Sequence, residues 1–312
     1  MKKVFVLLAV LVVAAGLIGC GGGSAGGGKP LIGYVCNNFN DTFQGYIMNE
    51  FRAYFDDKPD YTLEFQDSQE DVIKQQDQVN NLIAKGAKAL VVVPVNTSAM
   101  DRITKAAQDA NIPLVYVNRN PFGESNPPSN IFYVGSQEIV AGRLQAEALA
   151  GLLGGDGGVC ILMGKLDNEG AILRTEGNEE VFAKFPGMSV LAKETGNWQR
   201  DQGMSLAENW ITAYGNNLKA ILGNNDEMAL GAVEATKKAN RTDIIVMGVD
   251  AIPDAKTAVG AGDLAATVLQ DAAGQGRGAG EAAHKALSGQ SQASINWIPF
   301  VLIDKSNLAQ FP

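Results

Sequence analysis

The sequence predicts an α/β protein built as two doubly wound, parallel-sheet lobes lying side by side with a cleft between them. Three observations predict it. Short apolar runs alternate with amphipathic helical stretches along nearly the whole chain, the pattern of right-handed βαβ crossovers. The strand runs are continuously apolar, as strands covered on both faces are. The alternation comes in two successive series, and 312 residues suffice for two domains with a core each.

The first series opens with the run Leu31–Cys36, followed by a helical stretch over 43–55, a strand over 61–65 and a helix opened by Ser68. That helix carries Val72, Ile73, Val79, Leu82 and Ile83 on one face and stops at Gly86. Strand 90–93, helix 98–110 and strands 114–117 and 131–134 complete the series. A helix over 137–153 leads into the second, whose strands fall at 159–163, 189–192, 220–222, 244–249 and 265–269. Gly274, Gly276, Gly278 and Gly280 miss the G-x-G-x-x-G spacing of a dinucleotide turn, and their segment reads as helix.

Composition removes several function classes. With 25 Lys and Arg against 34 Asp and Glu the net charge is −9, which argues against a nucleic-acid partner. The single histidine, His284, rules out multi-histidine metal sites and reads as a solvated residue on a helix face. Cys36 and Cys160 sit inside apolar runs in different halves and read as buried free thiols.

The N-terminus carries an address. Lys2 and Lys3 precede an apolar run over 4–15, too short for a membrane span and suited to a signal peptide over 1–19. It ends in Leu17-Ile18-Gly19-Cys20, a tetrad that resembles a bacterial lipobox and makes Cys20 the expected lipidation site. Glycines then dominate 21–28, so 20–29 reads as a flexible tether. Its G-x-S-x-G match at Gly22, Ser24 and Gly26 lies between no strand and helix, and is an accident of composition.

In open α/β sheets ligands bind beyond the carboxyl ends of the strands. Asn37 and Asp41 with Phe43 follow the first strand, Asn118 and Arg119 the fourth, and Asp167, Asn168 and Glu169 precede Arg174 after the first strand of the second series. Trp198, Asn225, Asp250 and Gln270 stand at later strand ends. Amides, carboxylates and a guanidinium fork match vicinal hydroxyls, which donate and accept, and aromatic faces match the C–H face of a sugar ring. No phosphate-binding G-x-x-x-x-G-K-[ST] occurs. The pattern points to a neutral polyhydroxylated ligand. Structural alternatives stand beside each: Asp41, Asp226 and Ser68 as helix caps, Asn118 and Arg119 as turn residues, Trp198 as loop packing, Trp210 as core.

These residues resemble the type I periplasmic sugar-binding proteins of ABC importers, in the galactose/glucose-binding branch with some ribose-binding-like features. The likeness covers roughly 31–311 and is most specific at Gln75-Gln76-Asp77-Gln78 with residues 82–86, at 224–235 beginning Asn224-Asn225-Asp226, at 246–251, and at 304–309. It implies two lobes joined by three hinge crossings, near Gly135-Ser136, Leu269-Gln270-Asp271 and Val301–Asp304. One lobe would then comprise 30–135 with 271–301, the other 136–270 with 302–312.

It further implies a ring sandwiched by Phe43 and Trp198. Asp41, Asn118, Arg174, Asn225 and Asp250 would be the polar contacts, with Gln270 and Arg119 as in the ribose branch. Asn37 and Asn168 stand where the galactose/glucose branch has tyrosine and histidine, and Gly170 where it has an aspartate. The branch's calcium loop is missing: residues 153–158 offer one carboxylate, Asp156, so no metal is expected, and no cofactor.

The implied protein is a monomeric, extracytoplasmic lipoprotein, held at the membrane only through its lipid. It performs no chemistry and hands a monosaccharide to an ABC transporter permease, with a chemoreceptor as a further reader of the closed form. The same fold could take a nucleoside, an inositol or a furanosyl signal instead. A glycosidase using Asp41 and Asp250 is a remoter reading. A repressor of this fold would need a DNA-reading helix-turn-helix where the chain has a signal and tether.

Overall fold

The computed structural model describes residues 28–311. The expectations for the signal peptide, for Cys20 and for the tether up to residue 27 lie outside the described residues.

Parallel strands β1 (Leu31–Cys36), β2 (Thr62–Asp67), β3 (Ala89–Val92), β4 (Leu114–Val117) and β5 (Ile131–Gly135) alternate with helices α1 (Thr42–Tyr54), α2 (Val72–Ala84) and α3 (Asp101–Asp109). The second series is α4 (Glu138–Leu153), β6 (Asp156–Met163), α5 (Glu169–Phe182), β7 (Gly187–Thr195), α6 (Arg200–Tyr214), β8 (Leu218–Gly223), α7 (Asp226–Lys238), β9 (Ile245–Asp250), α8 (Pro253–Ala261) and β10 (Ala266–Leu269). Helix α9 (Ala272–Leu287) and the short strands β11 (Ile295–Trp297) and β12 (Val301–Asp304) close the chain.

Two six-stranded sheets result, ordered β11-β5-β4-β3-β1-β2 and β12-β10-β9-β8-β6-β7. The order 2-1-3-4-5 thus occurs twice, with its reversal between β1 and β3 and again between β6 and β8. All pairings are parallel except β10 with β12, which is antiparallel.

The chain passes between the sheets three times, after β5, after β10, and between β11 and β12. The third passage is residues 298–300, just ahead of the expected Val301–Asp304. Those four residues form the ladder against β10, so the bend falls before them.

Local chemistry explains most boundaries. Asp71, and not Ser68, caps α2, accepting from the Ile73 and Lys74 amides; the Ser68 hydroxyl donates to Gln78 inside the fold. Gly154 ends α4 in a left-handed conformation. Each sheet is covered on both faces. In the first lobe Phe43, Ile47, Phe51 and Phe55 pack with Ala279, Ala282 and Ala283 of α9 on one side, and Val79, Leu82, Met100 and Ile103 fill the other. The second lobe does the same with Trp210, Met228 and Val233 on one face and Leu149, Val181 and Phe182 on the other.

Cys36 and Cys160 are free and buried, and burial pushes both thiols up to about 12. His284 is half-buried: its Nδ1 lies 3.1 Å from the Tyr54 hydroxyl and its ring packs against Tyr54 and Tyr61, because α1 and α9 lie side by side.

Candidate functional site

The carboxyl ends of both sheets face each other across a cavity lined by polar side chains and two aromatics. The lobes touch across its mouth: Thr42 donates to Glu227 at 3.2 Å, Lys165 pairs with Glu70 at 3.0 Å, and the Asn120 amide donates to Glu169 at 2.6 Å.

The first lobe contributes Asp41, Phe43, Gln44, Asn118 and Arg119. Asp41 is both cap and lining: its Oδ1 accepts from the Phe43 and Gln44 amides, at 3.0 and 3.2 Å, and burial raises its pKa. Asn118 takes a left-handed φ of 69° right after β4. The Gln44 side-chain Nε2 donates to its Oδ1 at 2.8 Å, and its Nδ2 donates to Gln275 at 3.1 Å. Arg119 spends its Nη1 on the carbonyls of Pro94 and Val95.

In the second lobe Arg174 is the hub. Its Nε donates to Glu138 at 2.6 Å, Nη1 to the Asn224 carbonyl at 2.6 Å, and Nη2 to Gln270 at 3.1 Å, while Asp250 lies 3.7 Å from Nη1. Arg174, Glu138 and Asp250 are each no more than 6% exposed. Burial holds the Asp250 carboxyl well above the usual carboxylate range despite Arg174, with Asp226, Asp41 and Glu138 adding to the rise.

The meeting of Glu138 with Arg174 depends on two glycines. A Cβ on Gly142 would strike the Arg174 carbonyl, and one on Gly177 the Ile139 carbonyl, so α4 and α5 pack backbone to backbone.

Asn168 and Asn225 cap α5 and α7 through their side-chain oxygens, and Asn225 also donates to the Trp198 carbonyl at 3.3 Å. Asp226 is not the cap. It is fully buried beneath the cavity, accepting from Thr267 at 2.7 Å and the Ile252 amide at 3.0 Å.

Phe43 and Trp198 come to the cavity from opposite lobes. Trp198 holds a left-handed φ of 67° and lies so close over Gly164 that any Cβ there would enter the indole. Asn118, Trp198 and Asp250 (φ 126°) are all non-glycine residues at positive φ, a backbone cost that clusters at sites where placement matters. Trp210 is core, its Nε1 donating to Glu194.

Every residue expected at the site lines the cavity except Asn37. Asn37 follows β1 directly and turns inward, fully buried, donating to Glu70 at 2.8 Å. Four lining residues were absent from the expected set: Gln44, Glu138, Glu169 and Gly170. Glu138 stands just past the end of β5, so the strand-end rule itself could have found it. Of the two acids before Arg174, Asp167 is exposed and Glu169 lines the cavity. Among the described residues no three His, Cys, Asp or Glu side chains converge as a metal site.

Two doubly wound lobes of the same strand order, with polar side chains and aromatics from both converging on one cavity between them, define a cleft-type solute-binding protein. The profile of the periplasmic binding protein domain matches residues 32–291. The chain belongs to that family, as a type I sugar-binding component of ABC importers, and its relatives are solute-binding proteins, not enzymes.

It is 40% identical over 277 residues to a putative rhizopine-binding protein of Rhizobium meliloti, covering 88% of this chain and 89% of that one. It is 30% identical over 262 residues to the ribose import binding protein of Escherichia coli, covering 84% and 86%. An ABC transporter solute-binding protein from Bacillus halodurans, solved with bound myo-inositol, superposes with a TM-score of 0.86 at 34% identity, covering 92% of this chain and 99% of that one. Membership in this family implies an extracytoplasmic location.

Proposed function

We propose that the protein captures one cyclic polyol, a monosaccharide or an inositol, in the interlobe cleft and delivers it to an ABC permease while tethered through a lipidated Cys20. The observation that carries this reading is the cavity lining, in which amides, carboxylates and guanidinium groups from both lobes meet beside Phe43 and Trp198. Asp41, Asn118, Arg119, Asn168, Arg174, Asn225, Asp250 and Gln270 supply the polar contacts; Asn37, turned toward Glu70, leaves the contact set. The inositol arm is favoured by the bound myo-inositol of the Bacillus halodurans relative.

Ligand selects the closed arrangement, and the permease reads the joint surface of the two lobes. The bodies that move are 30–135 with α9 and β11, and 136–270 with β12.

A thermal-shift panel of pentoses, hexoses, inositols and nucleosides tests the reading. A ligand at 100 times its Kd adds about 2.7 kcal/mol, and a shift with nucleosides alone would overturn it. Trp198→Ala is expected to weaken binding of the panel's hit by about 1–3 kcal/mol through lost burial and stacking. Wild-type tryptophan fluorescence should change on binding; unchanged affinity in the variant returns Trp198 to loop packing.

Cys20→Ser is expected to abolish lipid attachment and to leave the precursor uncleaved. Detergent-phase partitioning equal to wild type would refute the anchor.

A further inference from the structure

Gln44 is the third residue of α1, three places after the Asp41 cap, the position from which a glutamine ordinarily reaches back to the amide of the capping residue. Here that amide goes elsewhere, to the Asn38 carbonyl at 3.4 Å. The Gln44 side chain turns into the fold instead, 3% exposed, and lines the cavity. Its Nε2 donates to Asn118, while its Oε1 is shut off from solvent and has no hydrogen-bond partner.

The bond to Asn118 opens a row that runs in one direction. Asn118 Nδ2 donates to Gln275 Oε1, and Gln275 Nε2 to the Ser136 hydroxyl oxygen at 3.4 Å. All four residues are buried, Gln275 completely. Gln275 reaches the row because α9 lies against α1 backbone to backbone, where a Cβ on Gly276 would strike the Ile47 carbonyl. The Tyr133 hydroxyl links Asn118 to Ser136 a second time, donating to their main-chain carbonyls at 2.9 and 3.4 Å. Ser136 is the first residue past β5, in the first passage between the lobes, and is not among the cavity-lining residues. Three amides thus lead from the cavity to the pivot, and the acceptor left open is the one at the cavity end.

We propose that Gln44 is a ligand-contact residue whose Oε1 accepts from one hydroxyl of the bound polyol, and that Asn118 and Gln275 hold that oxygen in place against Ser136. The proposal rests on the polyol reading and adds to it one contact residue and one positioning residue, Ser136. A buried carbonyl oxygen without a donor is costly, so the closed site gains when a hydroxyl supplies one. With Nε2 turned to Asn118, the carbonyl is what the glutamine offers, and the ligand group must donate.

The test is calorimetric titration with ribose, glucose, galactose and myo-inositol, and with the singly deoxyfluorinated derivatives of each that binds. Fluorine keeps roughly the size of a hydroxyl but cannot donate. At one position the fluoro derivative should bind about tenfold weaker than its parent to the wild type, and about equally to Gln44→Met, which itself should bind the parent about tenfold weaker. Gln44→Glu should recover most of that loss. One carboxylate oxygen still faces the hydroxyl, while Asn118 and Gln275 turn their amides over and the row closes on the Ser136 hydroxyl as donor. Ser136→Ala should weaken binding of the parent about threefold, and adding it to Gln44→Met should cost nothing further, because both changes break one row.

If every fluoro position keeps its discrimination in Gln44→Met, or if Gln44→Glu binds as weakly as Gln44→Met, the contact falls and the polyol reading stands. Additive losses, or wild-type affinity in Ser136→Ala, overturn the role of the row. If none of the four parents binds, the polyol reading falls and takes the proposal with it. The ratio of parent to derivative is read within one protein, so reduced stability in Gln44→Met leaves it intact, and Ser136→Ala decides the row whatever that variant does.

Discussion

Arg174→Ala is expected to lower stability by about 3–5 kcal/mol and to remove measurable ligand binding, because it strands buried charge. Glu138 would lose its 2.6 Å partner and Asp250 the only cation within 4 Å of it among the described residues. The Asn224 carbonyl and Gln270 would each lose a donor as well. At 5% exposure the hub lies beyond the reach of bulk water, so the abandoned groups stay without partners. Urea unfolding followed by circular dichroism measures the loss, and calorimetry the binding. Adding Glu138→Gln to Arg174→Ala should recover part of the stability by neutralising the stranded carboxylate, without restoring binding. A stability within about 1 kcal/mol of wild type in the single variant would show the cluster to be hydrated in solution.

Gly142→Val should cost about 3 kcal/mol and weaken ligand binding, although Gly142 is not among the cavity-lining residues. The atom that a Cβ would meet is the main-chain carbonyl of Arg174, which no rotamer change can clear. Relief requires α4 and α5 to separate, and separation pulls Glu138 away from Arg174. Binding should therefore fall together with stability. The same substitution at Gly151, where a Cβ would meet nothing within 4 Å, is the control and should fold and bind as wild type does. Equal behaviour of the two variants would mean that the helix pair yields without moving the hub.

The central strands were legible because burial on both faces turns them into unbroken apolar runs such as Leu90 to Val93. Strands β11 and β12 were not, being three- and four-residue edge segments whose pairing depends on partners far away in sequence. The strand-end rule located most of the cavity lining, since topology fixes where the loops meet. It misled at Asn37, where the side chain of the first residue past β1 points back into the fold. Glu138 escaped for the opposite reason. An acid at the first position of a helix has a sufficient local explanation in the helix dipole, and only the docking of α5 against α4 reveals its partner.

The threefold passage of the chain between the sheets also governs the order in which the protein can be completed. The core of the first lobe includes Ala279, Ala282 and Ala283 of α9, and its sheet lacks an edge until Ile295–Trp297 is available. The second sheet gains its last strand only at Val301–Asp304. A nascent chain emerging residue by residue thus holds all of β1 to β10 before the first lobe can seal its apolar surface. The first lobe's helix-facing core therefore closes only once α9 is available, late in the chain.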